Sequence, residues 1–315
     1  MKSNLLSIVI PTFNRASTLP RLFASLLEIS YSPIEIVLVD NQSTDNSLDL
    51  CLDFQRLHTS STRTIKVTTE KEKGACYCRN KGISLTQGEF IYFFDSDDEM
   101  SPTFLENLYP YCKDNDLVCA PTVMYFEDGS RKVRSCIPSH HVYDHILSAS
   151  LSTQSMLIRR EVLIKYGNWD THLPRWNDWE LGVRLLCSTR KVKWLTSQAY
   201  HKIYQHKKSI SGKSFGEDYE NLLASISKAE ADIRSSALDR KEVKKSLNAL
   251  AAKCLLLCAE LYREGNLQKE KECYHFARTL MQDAATRILT PVIYFFNKHH
   301  LPGSWRLYLA LCKCH

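Results

Sequence analysis

Within the first hundred or so residues, apolar runs alternate with stretches of helical spacing. That alternation constrains the fold more than any other feature of the chain. Leu6–Ile10, closed by Pro11, together with Ile34–Val39, Thr64–Thr69 and Phe90–Phe94, read as strands. Leu19–Ile29, Asp45–His58 and Cys76–Gln87 read as helices between them. In the second helix Leu48, Leu52 and Phe54 or Leu57 are expected to face inward. Strands alternating with helices predict an α/β fold, with a mostly parallel, Rossmann-like sheet covered by helices on both faces. Right-handed crossovers then place the loops that follow the strands along one edge, where ligands of such sheets bind. Polar clusters follow three of the strands: Thr12-Phe13-Asn14-Arg15, Asp40-Asn41-Gln42-Ser43-Thr44-Asp45 and Asp95-Ser96-Asp97-Asp98.

The middle, about 116–213, is less regular. It holds short β-like runs (Leu117–Met124, Ser155–Ile158, Val192–Leu195) and a helix around Trp179–Cys187. From about 215 the pattern is wholly helical, which divides the chain into 1–213 and an all-α region, 214–315. Leu250–Leu280 reads as two helices around Gly265-Asn266 and resembles one tetratricopeptide-type hairpin. A single copy cannot form a solenoid, so a helical cap, a surface for homo-oligomer formation or an acceptor-presenting surface is expected. Ala284–His315 is apolar and basic, with Arg287, Lys298, Arg306 and Lys313 and no acidic residue. Such a segment either packs on the rest of the chain or makes a peripheral contact with an anionic membrane.

The 315 residues are enough for a sizeable core without disulfides or metals. No apolar run approaches the ~20 residues of a membrane span. The start, MKSNLLSIVIPTFNR, lacks a signal-peptide pattern, so a cytoplasmic location is expected, at most at the inner face of the membrane. The twelve cysteines form no CxxC pair and are expected to be mostly buried free thiols. A net charge of +6 is too mild to imply nucleic acid as a partner.

Asp95-Ser96-Asp97-Asp98 puts three carboxylates within four residues after an apolar strand. They repel one another unless a positive charge lies between them. Oxygen ligands suit Mg²⁺ or Mn²⁺, and Mg²⁺ takes few protein carboxylates and leaves positions for phosphates. A solvated acidic turn capping the helix after Ser101-Pro102 is the plainer alternative.

Together the segments SIVIPTFNR (7–15), IEIVLVDNQSTDNS (34–47), GACYCRNKGI (74–83), GEFIYFFDSDDEM (88–100) and NDWELGVRLL (177–186) resemble the inverting family-2 glycosyltransferases of the GT-A fold, in that family's order and spacing. The resemblance covers about 1–213. Asn41-Gln42 departs from it, where an acidic or Asp-Gly pair is commoner, and so does Cys78, where Ala is usual. The resemblance implies a nucleotide-sugar site made by Pro11, Thr12, Asn14, Arg15, Asp40, Arg79, Asp95 and Ser96. It implies Asp40 on the base, often uracil, and Arg79 near the diphosphate. It implies Mn²⁺ or Mg²⁺ on Asp97, with Asp95 on the ribose or a metal-bound water. Asp98 would support either or face solvent. His206 would be a third metal ligand or a phosphate contact, with His201 as the alternative, and Lys207 and Lys208 would favour an anion. Asp178 would be the base that deprotonates the acceptor hydroxyl, with Trp176 and Trp179 beside it suited to stacking on sugar rings. Asp178 could equally cap its helix. Glu180 is the rival base, expected to face solvent or to pair with Arg184.

The expected activity is metal-dependent, inverting transfer of a sugar from a nucleotide-diphosphate donor, UDP favoured, to a hydroxyl of a glycan or lipid-linked glycan, as in surface polysaccharide synthesis. A nucleotidyltransferase would call for a Gly- and Lys/Arg-rich loop after the first strand, where Pro-Thr-Phe-Asn-Arg stands. A non-catalytic nucleotide-sugar-binding or scaffold protein is the other alternative.

Overall fold

The computed structural model describes residues 2–135, 138–196, 201–205, 214–299 and 301. The chain divides into two compact units that are discontinuous in sequence. One comprises residues 1–138, 150–174 and 189–207, and the other 139–149, 175–188 and 208–315. The change to all-helical sequence near 214 is therefore not the only crossing between them.

The first unit begins with β1 (Lys2–Thr12), α1 (Leu19–Leu27), β2 (Ile34–Asp40), α2 (Ser47–His58), β3 (Arg63–Thr69), α3 (Ala75–Leu85), β4 (Gly88–Phe93) and α4 (Phe104–Leu108). It continues through β5 (Leu117–Cys119), β6 (Thr122–Tyr125) and β7 (Arg131–Arg134). After α5 (Val142–Ser148), which belongs to the second unit, it resumes with β8 (Met156–Arg159) and α6 (Arg160–Tyr166). After α7 (Asn177–Ser188), again of the second unit, it adds β9 (Val192–Trp194) and β10 (Lys202–Tyr204). A seven-stranded sheet runs β3-β2-β1-β4-β8-β5-β9, and a three-stranded one runs β10-β6-β7. The large sheet is mostly parallel, and only β8 runs against its neighbours β4 and β5.

Alternation along the strands sorts the core. Leu6, Ile8 and Ile10 of β1 pack with Leu19, Leu22 and Leu26 of α1, Cys51 and Phe54 of α2 and Phe104 of α4 on one face. On the other face α3 comes so close to β1 that a Cβ on Gly82 would stand 2.2 Å from Val9 Cγ1. Strand β1 does not stop at Pro11 but runs to Thr12. Pairing with β4 ends at Val9 and Phe93, followed by one bond from Phe94 N–H to Val9 C=O. Pro11 points to that side, so its missing N–H falls beyond the ladder.

Two expectations are corrected by the structure. In α2 the inward stripe is Ser47, Cys51 and Phe54, with Phe54 stacked on Phe23 at 4.1 Å, while Leu52 and Leu57 are exposed. The single run 117–124 breaks at Ala120-Pro121 into β5 and β6, which belong to different sheets.

The second unit is helical. It contains α5 and α7 with α8 (Tyr219–Ser235), α9 (Arg240–Arg263), α10 (Leu267–Leu280) and α11 (Ala284–Lys298). Asp239 caps α9 by accepting the Glu242 N–H at 2.8 Å. Gly265 at φ +79° turns the chain from α9 into α10, a conformation that a side chain would strain. Cys51, Cys78 and Cys112 in the first unit, and Cys254, Cys258 and Cys273 in the second, are buried free thiols. Among the described residues no helix is long and apolar enough to cross a membrane.

Candidate functional site

Thr12 and Asp40 end neighbouring strands as register partners, and Asp40 is partnered in turn with Thr69 of β3. Both side chains lie at the carboxyl edge of the sheet and are buried, at 1% and 2% exposure. Asp40 Oδ2 accepts the Ser43 N–H at 3.0 Å, so the expected turn cap is present on one oxygen. The other, Oδ1, and Thr12 Oγ1 are buried with no hydrogen-bond partner. Leaving such atoms unmet costs about 1–3 kcal/mol each. A ligand N–H donor would satisfy Oδ1, and Thr12 Oγ1 could donate or accept.

The loops around this pair are held by side chains that sequence motifs do not separate from ligand contacts. Asn14 Oδ1 accepts the Thr44 N–H at 2.8 Å, and the Asn14 N–H goes to Ser43 Oγ at 3.0 Å. The amide of Asn41 donates to Glu70 C=O and Glu72 C=O and accepts the Gly74 N–H. Gln42 sits at φ +58°, which accounts for glycine being commoner there.

Beyond β4, the structure brings Arg15, Arg79 and the acidic cluster together. Asp97 pairs with Arg15 at 3.0 Å, and its C=O accepts from Arg21 Nη2. Asp95 Oδ1 pairs with Arg79 at 2.9 Å. Arg79 is not an exposed helix residue: it is 5% exposed, with its guanidinium 4.3 Å from the Trp169 ring centre. Ser96 is buried, and its C=O accepts from Thr18 Oγ1 at 3.0 Å. Asp98 does not face solvent, being 3% exposed. Burial pushes its carboxyl well above the usual carboxylate range, and the charges of Asp95 and Asp97 push it the same way. Asp95 and Asp97 keep 34% and 22% of their side chains exposed. Among the described residues no three His, Cys, Asp or Glu stand together as a complete metal cage. Two partly exposed carboxylates fit Mg²⁺ or Mn²⁺, which take few protein carboxylates, rather than a closed zinc site.

One residue that the sequence did not mark holds the cluster. Gln154 Nε2 donates to Asp95 Oδ2 at 2.8 Å and to Asp98 Oδ2 at 2.6 Å, one bond for each amide hydrogen. The second Asp98 oxygen accepts the Tyr204 N–H at 2.7 Å. Behind Gln154 runs a buried chain that settles His201. Its Nδ1 accepts the Ser101 N–H at 3.0 Å, so Nε2 carries the proton and donates to Tyr92 Oη at 2.6 Å. Tyr92 Oη–H then donates to Gln154 C=O at 2.5 Å. Burial pushes the His201 imidazole down to about 3, so it is neutral. With both nitrogens engaged inside the core, His201 is not a metal ligand. His206, Lys207 and Lys208 lie outside the described residues. Gln154→Leu is expected to cost about 1–3 kcal/mol, because two carboxylate oxygens lose their shared donor. A lower midpoint in urea unfolding checks it.

The helical unit carries Asp178 in the first turn of α7, half-buried, with Oδ1 accepting the Trp179 N–H at 2.8 Å. Glu180 does not face solvent. It is fully buried and grips Arg184 through both oxygens, at 2.8 and 3.0 Å. Trp179 is 2% exposed, with Nε1–H donating to Ile146 C=O at 3.2 Å, and presents no face for stacking. Trp176 is half-buried, adopts φ +57° and holds Lys253 Nζ 4.5 Å from its ring centre. Glu180→Ala is expected to destabilise this unit by about 3–5 kcal/mol, since Arg184 loses its buried counter-charge. Loss of the helical signal at lower urea checks it.

A family model described as Glycosyl transferase family 2 matches residues 7–167. Glycosyltransferase GlyG of Streptococcus pneumoniae serotype 4 is 37% identical over 131 residues, covering 41% of this chain and 42% of that protein. The Escherichia coli UDP-Glc:alpha-D-GlcNAc-diphosphoundecaprenol beta-1,3-glucosyltransferase WfgD is 35% identical over 98 residues, covering 31% and 37%. The matched stretch therefore spans about two fifths of these relatives' own length. Among solved structures, S. aureus TarS 1-349 in complex with UDP superposes with a TM-score of 0.65 at 15% identity, covering 97% of this chain and 90% of that one. At that identity the likeness is one of fold.

Proposed function

Since this chain belongs to glycosyl transferase family 2, we propose that it moves a sugar from a nucleoside-diphosphate sugar, UDP-linked by preference, to a hydroxyl of a glycan or lipid-linked glycan. The observation that carries the donor half is the pair of unpartnered polar atoms at the strand ends, Asp40 Oδ1 and Thr12 Oγ1. Asp40 Oδ1 accepts the imide N–H of uracil, which a carboxylate does well and a cytosine ring, lacking that N–H, does not reward. Arg79 and Arg15 supply fixed positive charge toward the diphosphate, alongside Pro11 near the end of β1 and Asn14 and Ser96 in the surrounding loops. Support for UDP comes from the names of two similar proteins, WfgD with UDP-Glc and TarS with bound UDP. The diphosphoundecaprenol acceptor in WfgD's name motivates the lipid-linked alternative.

Asp97 and Asp95 would hold Mn²⁺ or Mg²⁺, which when bound neutralises charge on the departing nucleoside diphosphate. Gln154 keeps the Asp95 carboxylate turned to one orientation, with Asp98 as the buried anchor of the same amide. Asp178 takes the proton of the acceptor hydroxyl as its oxygen attacks the anomeric carbon from the side opposite the diphosphate. That geometry inverts the anomeric centre and leaves no sugar bound to the protein. Trp176 supplies an apolar face beside Asp178 for the acceptor sugar.

The test is UDP release from a panel of UDP-sugars, with proton NMR of the freed or transferred sugar. An α-linked donor is expected to yield the β product first. Retention of the α configuration would overturn the direct displacement, and no turnover or binding of any nucleotide sugar would overturn the transferase assignment.

A further inference from the structure

The last described helix presents a face that the transfer reaction does not use. On α11, Thr286, Thr290 and Ile293 are buried on one side. On the opposite side Ile288, Val292 and Phe295 are 72%, 45% and 54% exposed, spaced one turn apart, with Leu289 at 39% beside them. Exposed residues of this kind scattered singly need no explanation, but a continuous stripe does. Arg287 is exposed along one margin of that stripe; Lys298 shares its angular position on the helix, with its ammonium 3.6 Å from the Tyr262 ring centre. At this helix Asp283, the N-cap, is committed to Thr286 N–H and Oγ1 at 2.7 Å, and Glu270 of α10 accepts from Tyr294 Oη at 2.7 Å. From 284 to the end of the sequence there are four Lys and Arg and no Asp or Glu.

We infer that this face of α11 docks on an anionic lipid surface, with Ile288, Val292 and Phe295 entering the headgroup boundary and Arg287 against the phosphates. The charge decides between occupants. A second copy of the chain would bring the same unbalanced positive charge against itself, whereas anionic headgroups complement it. A helix of this length with an apolar stripe and a basic margin lies in the interface plane and does not cross it. The inference stands on this helix alone and does not depend on the identity of the sugar donor.

The experiment is co-sedimentation of the full chain with vesicles of phosphatidylcholine alone and of equal parts phosphatidylcholine and phosphatidylglycerol. Wild type is expected to sediment with the mixed vesicles, to stay in solution with the neutral ones, and to be released by added salt. The double variant Ile288→Glu/Phe295→Glu is expected to bind the mixed vesicles at least about tenfold more weakly. Arg287→Glu should weaken binding and flatten its salt dependence. UDP binding by the same variants, expected to be unchanged, shows that they are folded. Absence of wild-type binding to the mixed vesicles overturns the inference. So does equal binding by the double variant. A dimer in sedimentation velocity that the double variant dissociates, or a fall in its melting temperature without loss of vesicle binding, assigns the stripe to protein packing and overturns it as well.

Discussion

An Asp178→Asn variant is expected to lose about 100- to 10,000-fold in kcat, the range that a positioned general base contributes. Its affinity for UDP should stay within about twofold of wild type, because no contact assigned to the donor involves Asp178. Asn keeps the shape and can still accept the Trp179 N–H, so the fold of α7 is preserved and the loss reports proton transfer. The neighbouring carboxylate cannot stand in: Glu180 is buried and both its oxygens are bound by Arg184. Steady-state kinetics with calorimetry of UDP on the same preparation separates the two effects. An Asn variant with wild-type kcat would remove Asp178 from the chemistry.

The second large effect is expected at Asp97. Asp97→Ala should weaken UDP binding in the presence of Mn²⁺ by about 100-fold or more, since neutralising a diphosphate by a metal contributes several kcal/mol. Without metal, the variant and wild type should bind UDP alike to within a few-fold. The substitution also frees Arg15 from its ion pair, which moves a positive charge toward the phosphates and works against the loss. Equal Mn²⁺ enhancement in both proteins would mean that Asp97 is not the ligand. Calorimetric titrations with and without Mn²⁺ read it directly.

How far the sequence carried these assignments differs between the two units. The parallel β-α alternation and the carboxylates at strand ends were legible because strand pairing, pleat and polar strand ends leave local patterns. So Asp40, Asp95 and Asp97 stood out as strand-end carboxylates before their surroundings were known, and the family resemblance gave them their expected roles. What they touch did not stand out. Gln154 lies 59 residues from Asp95 in the chain and reaches it from the short 3-10 helix Thr153–Ser155 just ahead of β8. A glutamine in a three-residue 3-10 helix carries no periodic pattern of its own. His201 stood as the alternative to His206 in a segment that resembles the family's closing motif, yet its partners Ser101 and Tyr92 lie 100 and 109 residues away. Amphipathic spacing misplaced the inner face of α2, where Leu52 and Leu57 resemble core residues but Phe54 stacking on Phe23 decides the rotation. The middle of the chain blurred because α5 and α7 leave the sheet unit for the helical one, and sequence order does not reveal that exchange.

The central claim is that Asp40 and Thr12 seat the base of a nucleoside diphosphate. Calorimetry of UDP and CDP in Mn²⁺, on wild type and Asp40→Ala, tests it most directly. The prediction is that wild type binds UDP in preference to CDP and that Asp40→Ala loses about 10- to 100-fold for UDP, the value of a hydrogen bond to a charged group. It also predicts that the variant no longer distinguishes the two bases. Equal binding of UDP by the two proteins, or a wild type indifferent to the base, would contradict it.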